Sequence, residues 1–538
     1  MSNVASVTVV EANGNREISC NGGETLLEVL IDGGITQVLA PCGGNGLCGK
    51  CLVKVLDGPV SEVTSEEVTL LGAKKIAEGY RLACRAHVPK GASMTIALVS
   101  EERLAQIASN YTGNTGTYRK VERQSTNQSY GCAVDIGTTT IVVYLVQHDE
   151  TGSEVIGHRS ALNAQRSFGG DVISRIQYTE EHNRGLVILQ KAIVNQLDSL
   201  IGEMLEEHKI EAIHLKHIIA VGNPTMIHLL IGAPVAGIAR APFIPHFTQA
   251  QQLAVGDLGF KTLFKKTQLI LPGNISAYVG SDITAGLHAV DITSTDQVTL
   301  YIDIGTNGEI ALYNKGKLYC CSAAAGPAFE GASISCGMGA VAGAIDHLWM
   351  TENKVSFSTI AGEEPLGICG SGIIDTVAML LDTELVDETG AMVDPDDSEI
   401  DLIIETDRGS ALKITQMVHF NSHDVREVQL AKAAIAAGIQ VLLHEAQITT
   451  ECIERVMVAG GFGAYINLPS AQRIGLLPNI PLHQVTSEGN CAGKGALLAA
   501  MDESDLTAIE QLRDNAYYIE LSTSSLFQQL FIDLMLFD

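Results

Sequence analysis

Two stretches of this chain repeat one design. CAVDIGTTTIVVYLV at 132–146 and LYIDIGTNGEIALYN at 300–314 both read as an apolar strand, an Asp-Ile-Gly-Thr turn and a second apolar strand. Around them, strand-like runs (His217 to Val221, Val456 to Ala459) alternate with helix-like runs such as Leu186 to Glu207 and Val428 to Glu445, an α/β pattern. Two hairpins of one design inside one α/β stretch predict two similar lobes that face each other across a cleft.

A single Asp-x-Gly-Thr turn arises by chance in many strand connections. Two copies in matching strand contexts point to phosphate. In each turn the acid can hold Mg2+, directly or through water, while glycine and the following backbone N–H groups approach phosphate oxygens without side-chain clash. Asp135, Gly137, Thr138, Thr139 and Thr140 form the first candidate phosphate loop. Asp303, Gly305, Thr306, Asn307, Gly308 and Glu309 form the second, with Asp135 and Asp303 as the Mg2+ candidates. A third element, VMVAGGFGAYIN at 456–467, reads as a buried strand entering a glycine turn. Gly460, Gly461 and Gly463, with Phe462 among them, would leave room for adenine and ribose. Asp282, in YVGSDITAGL, falls at an expected helix N-cap, which is a complete structural explanation on its own. Asn223 in GNPTM, and Gly370 and Ser371 in ICGSGIID, are further candidates for lining the cleft.

The first 95 residues carry a different chemistry. In APCGGNGLCGKCLVKV, Cys42, Cys48 and Cys51 are spaced Cys-x5-Cys-x2-Cys, and Cys84 follows in RLACRA. Four thiolates suit a 2Fe-2S cluster, and the interleaved glycines let a loop wrap it and point N–H groups at its sulfurs. Zinc ribbons pair two Cys-x2-Cys halves, which this spacing does not. The other eight of the 12 cysteines form no such pair and are expected to be buried thiols.

Composition narrows the partners. The formal charge is -28, with no block of lysine and arginine, which argues against a nucleic-acid or anionic-membrane surface. No apolar run approaches the ~18 residues needed to span a bilayer, and the start has no signal-peptide pattern, so the expectation is a cytoplasmic protein. The expected organisation is a compact α+β unit at 1–95, a polar flexible linker at 96–128, a middle region with the first phosphate hairpin at 129–210, and the rest of the ATPase unit at 211–538.

These motifs carry resemblances. The N-terminal segment resembles 2Fe-2S ferredoxins of the adrenodoxin-like group, which implies a β-grasp fold with Cys42, Cys48, Cys51 and Cys84 as cluster ligands. The order of two phosphate motifs and one adenosine motif resembles the actin, Hsp70 and sugar-kinase superfamily, which implies an ATP-binding cleft. The Gly-Ser-Asp segment is similar to the one that carries the catalytic carboxylate in glycerol-kinase-like enzymes. That makes Asp282 the leading candidate for orienting or deprotonating the attacking water, ahead of Glu309, with Asp303 the third carboxylate in question.

End to end, GGNGLCGKC, NAQRSFGGDVISRI at 163–176, GNPTMIHLLIGAP, APFIP at 241–245, DIGTNGE, AAAGPAFEGASISCGM at 323–338 and QLAKAAIAAGI look like the reductive activators of corrinoid proteins found in anaerobes. The resemblance implies ATP hydrolysis driving electrons from a donor such as a ferredoxin, flavodoxin or reductase, through the cluster, to inactive Co(II) corrinoid protein. It also implies a homodimer. The ending LFIDLMLFD has no cysteine-rich tail, so the 4Fe-4S clusters of archaeal methylamine-type activators are not expected. Two rivals remain: a small-molecule kinase with a fused redox module, and an activator of another low-potential metalloenzyme.

Overall fold

The computed structural model describes residues 4–11, 14–35, 38, 40, 44, 46, 49, 51–98, 129–150, 152–397, 402–406, 408–461 and 465–537. Cys42, Cys48, Phe462, Gly463 and residues 99–128 of the expected linker lie outside them.

The N-terminal unit is one five-stranded sheet, ordered β2-β1-β5-β3-β4, from β1 (Ala5–Glu11), β2 (Gly14–Cys20), β3 (Leu52–Asp57), β4 (Tyr80–Leu82) and β5 (Ser93–Leu98). Alternation in β1 turns Val7 and Val9 inward, where they meet Leu26, Leu27, Val29 and Leu30 of the helix Leu26–Asp32. Thr25 and Glu28 start that helix with a reciprocal capping box. The strand β5 runs past residue 95 because it pairs with β1 through Ala97 and with β3 through Leu98.

The first lobe has the sheet order β10-β11-β9-β6-β7-β8. Its strands are β6 (Ser129–Ile136), β7 (Thr140–Asp149), β8 (Gly152–Leu162), β9 (Leu215–Gly222), β10 (Gln251–Ala254) and β11 (Gln268–Leu271). This sheet crosses residue 210: β9 lies beyond it and pairs parallel to β6, after a return through the helix Gly185–Glu207. That helix buries Leu189, Ile193, Leu197, Ile201 and Leu205 at four-residue intervals, one stripe against the sheet.

The second lobe starts with β12 (Thr299–Ile304), β13 (Gly308–Asn314) and β14 (Lys317–Ala323). Two small sheets follow, one of β15 (Ala344–Thr351), β16 (Lys354–Thr359) and β17 (Gly367–Ile368), the other of β18 (Ile403–Thr406), β19 (Gly409–Lys413) and β20 (His419–Asn421). The main sheet is completed by β21 (Arg455–Ala459), β22 (Val485–Gly489) and β23 (Ala516–Tyr518), in the order β22-β21-β12-β13-β14-β23. The repeat is structural: β9 beside β6 and β21 beside β12 are parallel neighbours, and each hairpin continues antiparallel on the other side. Between the lobes the helices Ser281–Ala289 and Cys491–Met501 pack together, closely enough that a side chain at Gly495 would strike the Ala285 carbonyl.

Candidate functional site

A glycine N–H closes each hairpin turn. Gly137 N–H donates to the Thr140 carbonyl and Gly305 N–H to the Asn307 carbonyl, each at 3.0 Å. Asp135 and Asp303 are the last-but-one residues of β6 and β12, so the duplicated sheets bring the duplicated acids to one cleft. Gly460 stands at the end of β21 with φ 97, and a Cβ there would lie 2.6 Å from the Ile304 carbonyl and 2.8 Å from Asp303 Oδ1. The third glycine motif is thereby pressed against the second phosphate loop, in a conformation that disfavours side chains. Gly461, next to it, is exposed.

Asp282 is not the N-cap. That position belongs to Gly280, which leaves Asp282 as the second residue of the helix Ser281–Ala289. The reason is close packing: a Cβ at Gly280 would be 2.7 Å from the Asn223 Cα. Asn223 in turn caps the helix Pro224–Ile231 and donates from Nδ2 to Thr138 Oγ1 at 3.1 Å. Gly370 and Ser371 open the helix Gly370–Asp382 beside β15 and β17. Ser371 Oγ lies 3.5 Å from Cys369 Sγ, a contact of the small sheet rather than of either phosphate loop.

The acids disturb one another. Burial, then Asp303 and Asp135, push Asp282 up to about 8. Asp135 rises to about 7 through burial, with Asn490 pulling it down and Asp303 pushing it up; Asn490 Nδ2 donates to Asp135 Oδ2 at 2.8 Å. Asp303 rises to about 6 through burial, opposed by the Tyr301 hydroxyl at 3.4 Å. Burial, then Asp282 and Asp303, also hold Glu309 well above its ordinary range, although it accepts from Ser322 Oγ at 3.3 Å. Carboxylates gathered this way are relieved by a cation. Among the described residues, no three His, Cys, Asp or Glu side chains converge tightly enough to hold a metal by themselves. Mg2+ in nucleotide sites binds through one or two carboxylates together with substrate phosphates and water. The neighbouring carboxylates of Asp135 and Asp303, one from each hairpin, fit that requirement.

Sequence reasoning overlooked four side chains here. Arg175 is fully buried and donates to the Thr138 carbonyl, to the Gly169 carbonyl at 2.9 Å and to Met226 Sδ, so it braces the first phosphate loop from behind. Asn163 Nδ2 donates to the Gly137 carbonyl at 2.8 Å. Asn490 holds Asp135 as above, and Glu330 receives Thr306 Oγ1 at 2.7 Å. Asn163 and Arg175 fall in NAQRSFGGDVISRI and Glu330 in AAAGPAFEGASISCGM, segments that carried resemblance but no assigned role.

In the N-terminal unit, Cys51 and Cys84 are buried with their sulfurs 3.2 Å apart. Gly44, Gly46 and Gly49 of the intervening loop have φ of 85, 73 and 67, the left-handed backbone that a cluster-wrapping loop needs. A side chain at Gly44 would press on Leu27 at 3.3 Å. Paired buried thiols beneath a left-handed glycine loop fit a 2Fe-2S cluster. Of the remaining cysteines, Cys132, Cys320, Cys321, Cys369 and Cys491 are buried as expected, whereas Cys20 and Cys336 are partly exposed and Cys452 is exposed.

Family models match the chain in three consecutive pieces. They are a 2Fe-2S iron-sulfur cluster binding domain at 10–89, the RACo middle region at 130–295, and the C-terminal domain of RACo, described as the ASKHA domain, at 297–538. The corrinoid activation enzyme RamQ of Eubacterium limosum is 35% identical over 422 residues, covering 75% of this chain and 69% of the relative. The chain belongs to this family of corrinoid activation enzymes. A second member, the [Co(II) methylated amine-specific corrinoid protein] reductase of Methanosarcina barkeri, is 24% identical over 437 residues, covering 75% and 76%. The solved structure of a reductive activator for corrinoid, iron-sulfur protein aligns with TM-score 0.69 and 29% identity over 99% of this chain and 98% of that one. The activator's fold, a 2Fe-2S domain followed by an actin, Hsp70 and sugar-kinase type ATPase domain, is therefore the fold of this chain.

Proposed function

We propose that this protein reduces an inactive Co(II) corrinoid protein to Co(I), one electron at a time, with ATP hydrolysis supplying the driving force. The observation that carries the reading is the union, in one chain, of a thiol-lined ferredoxin-like unit and a two-lobed nucleotide cleft, in a chain that aligns almost end to end with a reductive activator of a corrinoid protein. Transfer that is already downhill needs no ATP. Each ~59 mV uphill costs a factor of ten in a one-electron equilibrium, so an ATPase fused to a redox unit suits a very low-potential acceptor.

Cys51 and Cys84, with Cys42 and Cys48, would hold the 2Fe-2S cluster, which supplies one-electron chemistry when bound. Asp135 and Asp303 would hold Mg2+, which supplies charge neutralisation for the phosphates when bound, and Asn490 Nδ2 fixes the Asp135 carboxylate. The Thr138 to Thr140 and Thr306 to Asn307 turns present N–H and hydroxyl donors to the phosphate chain. Asp282, held near neutral pKa, accepts a proton from the attacking water as it adds to the terminal phosphate; ADP and inorganic phosphate leave. The electron donor in this reading is a low-potential carrier such as a ferredoxin, flavodoxin or reductase, the working form is a homodimer, and the setting is the cytoplasm. Among the described residues no helix is long and apolar enough to cross a membrane.

The test is anaerobic. Cluster-reduced protein is mixed with a Co(II) corrinoid protein and the visible spectrum followed for Co(I), with and without Mg-ATP. Co(I) that forms only with hydrolysable ATP, and not with Asp303→Ala, supports the coupling. ATP consumption without Co(I) on any corrinoid protein of the same organism sinks it, and the kinase reading takes its place.

A further inference from the structure

Glu330 stands between the two candidate phosphate loops. It closes the short turn Ala328–Glu330 that follows β14. Its Oε1 accepts from Thr306 Oγ1 at 2.7 Å and its Oε2 from Thr139 Oγ1 at 3.5 Å. The two threonines belong to different phosphate hairpins and different lobes, so this one carboxylate ties the cleft across its middle. Burial pushes the Glu330 carboxyl up, while Thr306, Arg166, Thr139 and Arg175 pull it back toward the ionised form.

Hydroxyl donors from both hairpins with guanidinium charge beside them make an oxyanion site. Each threonine hydroxyl has one proton to donate. A carboxylate and a phosphoryl group of the same charge sign cannot both take those two protons. We propose that Glu330 is a displaceable strap: without nucleotide it holds the Thr139 and Thr306 hydroxyls, and the terminal phosphate of Mg-ATP takes those donors and expels it. The proposal rests on the ATP-dependent reading above and names the residue through which occupancy of the cleft is felt outside it.

The path outward is short. Gly331 follows with φ 74, and a Cβ there would lie 2.6 Å from Met338 N, so the chain doubles back at once. Ser335 N–H donates to Asp424 Oδ1 at 2.7 Å, and Ser335 Oγ accepts from Asn421 Nδ2 at 2.8 Å and from Arg408 at 3.3 Å. Ser335 and Arg408 are exposed. The segment 330–336 is thus pinned at one end by the threonines of the two hairpins and at the other by the buried Asp424 and Asn421 and the exposed Arg408. Expelling Glu330 releases the inner pin and leaves the outer one, which converts nucleotide binding into a change at the surface formed by Ser335 and Arg408.

A carboxylate near a terminal phosphate has one other use, holding the cation or the attacking water, and removing it would then weaken binding or leave it unchanged. The full-length chain is compared with Glu330→Ala and Glu330→Gln. Affinity for the Mg2+ complex of adenylyl imidodiphosphate and for Mg-ADP is measured calorimetrically, and amide hydrogen exchange is followed over 324–338. Removing the strap raises the fraction of binding-competent molecules, so Glu330→Ala binds the triphosphate analogue about 10-fold more tightly. Glu330→Gln, which keeps an acceptor without the charge, gains less, and ADP affinity changes little in either. Exchange over 324–338 rises on analogue binding in the unaltered protein and is already raised in Glu330→Ala. Unchanged or weaker analogue binding in both variants overturns the strap; should Glu330→Ala not fold, the isosteric Gln variant decides alone. An unaltered protein that binds the analogue yet yields no Co(I) when given hydrolysable Mg-ATP and a Co(II) corrinoid protein sinks the activator reading and leaves this comparison standing.

Discussion

Replacing Asp282 by asparagine should stabilise the folded chain while abolishing hydrolysis. Asp282 receives the Ile283 N–H at 2.9 Å and its own N–H, but burial and the charges of Asp303 and Asp135 outweigh them and push it up to about 8 from its ordinary 3.8. A carboxyl whose folded pKa is raised binds its proton more tightly in the folded chain than in the unfolded one. Its contribution to stability is therefore fully present below pH 3.8 and is lost as pH rises toward 8. At about pH 7 the loss is on the order of 4 kcal/mol if Asp282 carries it alone, and roughly half that if Asp135 and Asp303 share it. At about pH 5 it is under ~2 kcal/mol. Asparagine has no proton to lose and keeps the Oδ1 acceptor for Ile283. Calorimetric unfolding without Mg2+ should show Asp282→Asn more stable than the parent at pH 7, with the difference shrinking at pH 5. ATP turnover should fall by roughly 10²–10⁴, as for loss of a general base. A variant no more stable at pH 7, or one whose advantage grows as pH falls, would refute the reading of this carboxylate as strained by its neighbours.

Cys84→Ser should leave ATP turnover within about twofold, because the cysteine belongs to the core of the N-terminal unit, yet remove the visible absorbance of the cluster and all Co(I) formation. Iron analysis and anaerobic spectra check it. Gly460→Ala should weaken nucleotide binding by about tenfold or more, since a side chain at φ 97 costs ~1–2 kcal/mol and its Cβ meets the Ile304 carbonyl and Asp303; calorimetric titration reads this directly. Arg81→Ala should destabilise the N-terminal unit by about 3–5 kcal/mol. Arg81 NH2 meets the fully buried Glu67 at 2.8 Å, with Nε at the same distance from the other carboxylate oxygen. Urea unfolding followed by cluster bleaching would show the midpoint move, and an unmoved midpoint would mean the pair is dispensable.

What was legible in the sequence was local. A strand-turn-strand motif needs contiguous residues of fixed type, so the hairpins holding Asp135 to Thr140 and Asp303 to Glu309 were legible, and their duplication foretold two lobes. The thiol spacing worked the same way for the N-terminal unit. Asp282 was expected at the helix N-cap, but the cap is Gly280, two residues earlier, because only the folded contact between Gly280 and Asn223 decides where that helix begins.

The groups that escaped notice are made by convergence. Asn490 reaches Asp135 across 355 residues, and Glu330 reaches Thr139 across 191. Each is a single polar residue in an ordinary setting, one an N-cap asparagine and the other a glutamate in a glycine-rich turn, so no spacing rule marks it. This division has a physical cause. Binding phosphate takes backbone N–H groups, which neighbouring residues supply, whereas sensing that phosphate takes a group from elsewhere that competes for the same donors. A residue that couples two lobes must come from outside both hairpins, and for that reason its role becomes visible only once the chain is folded.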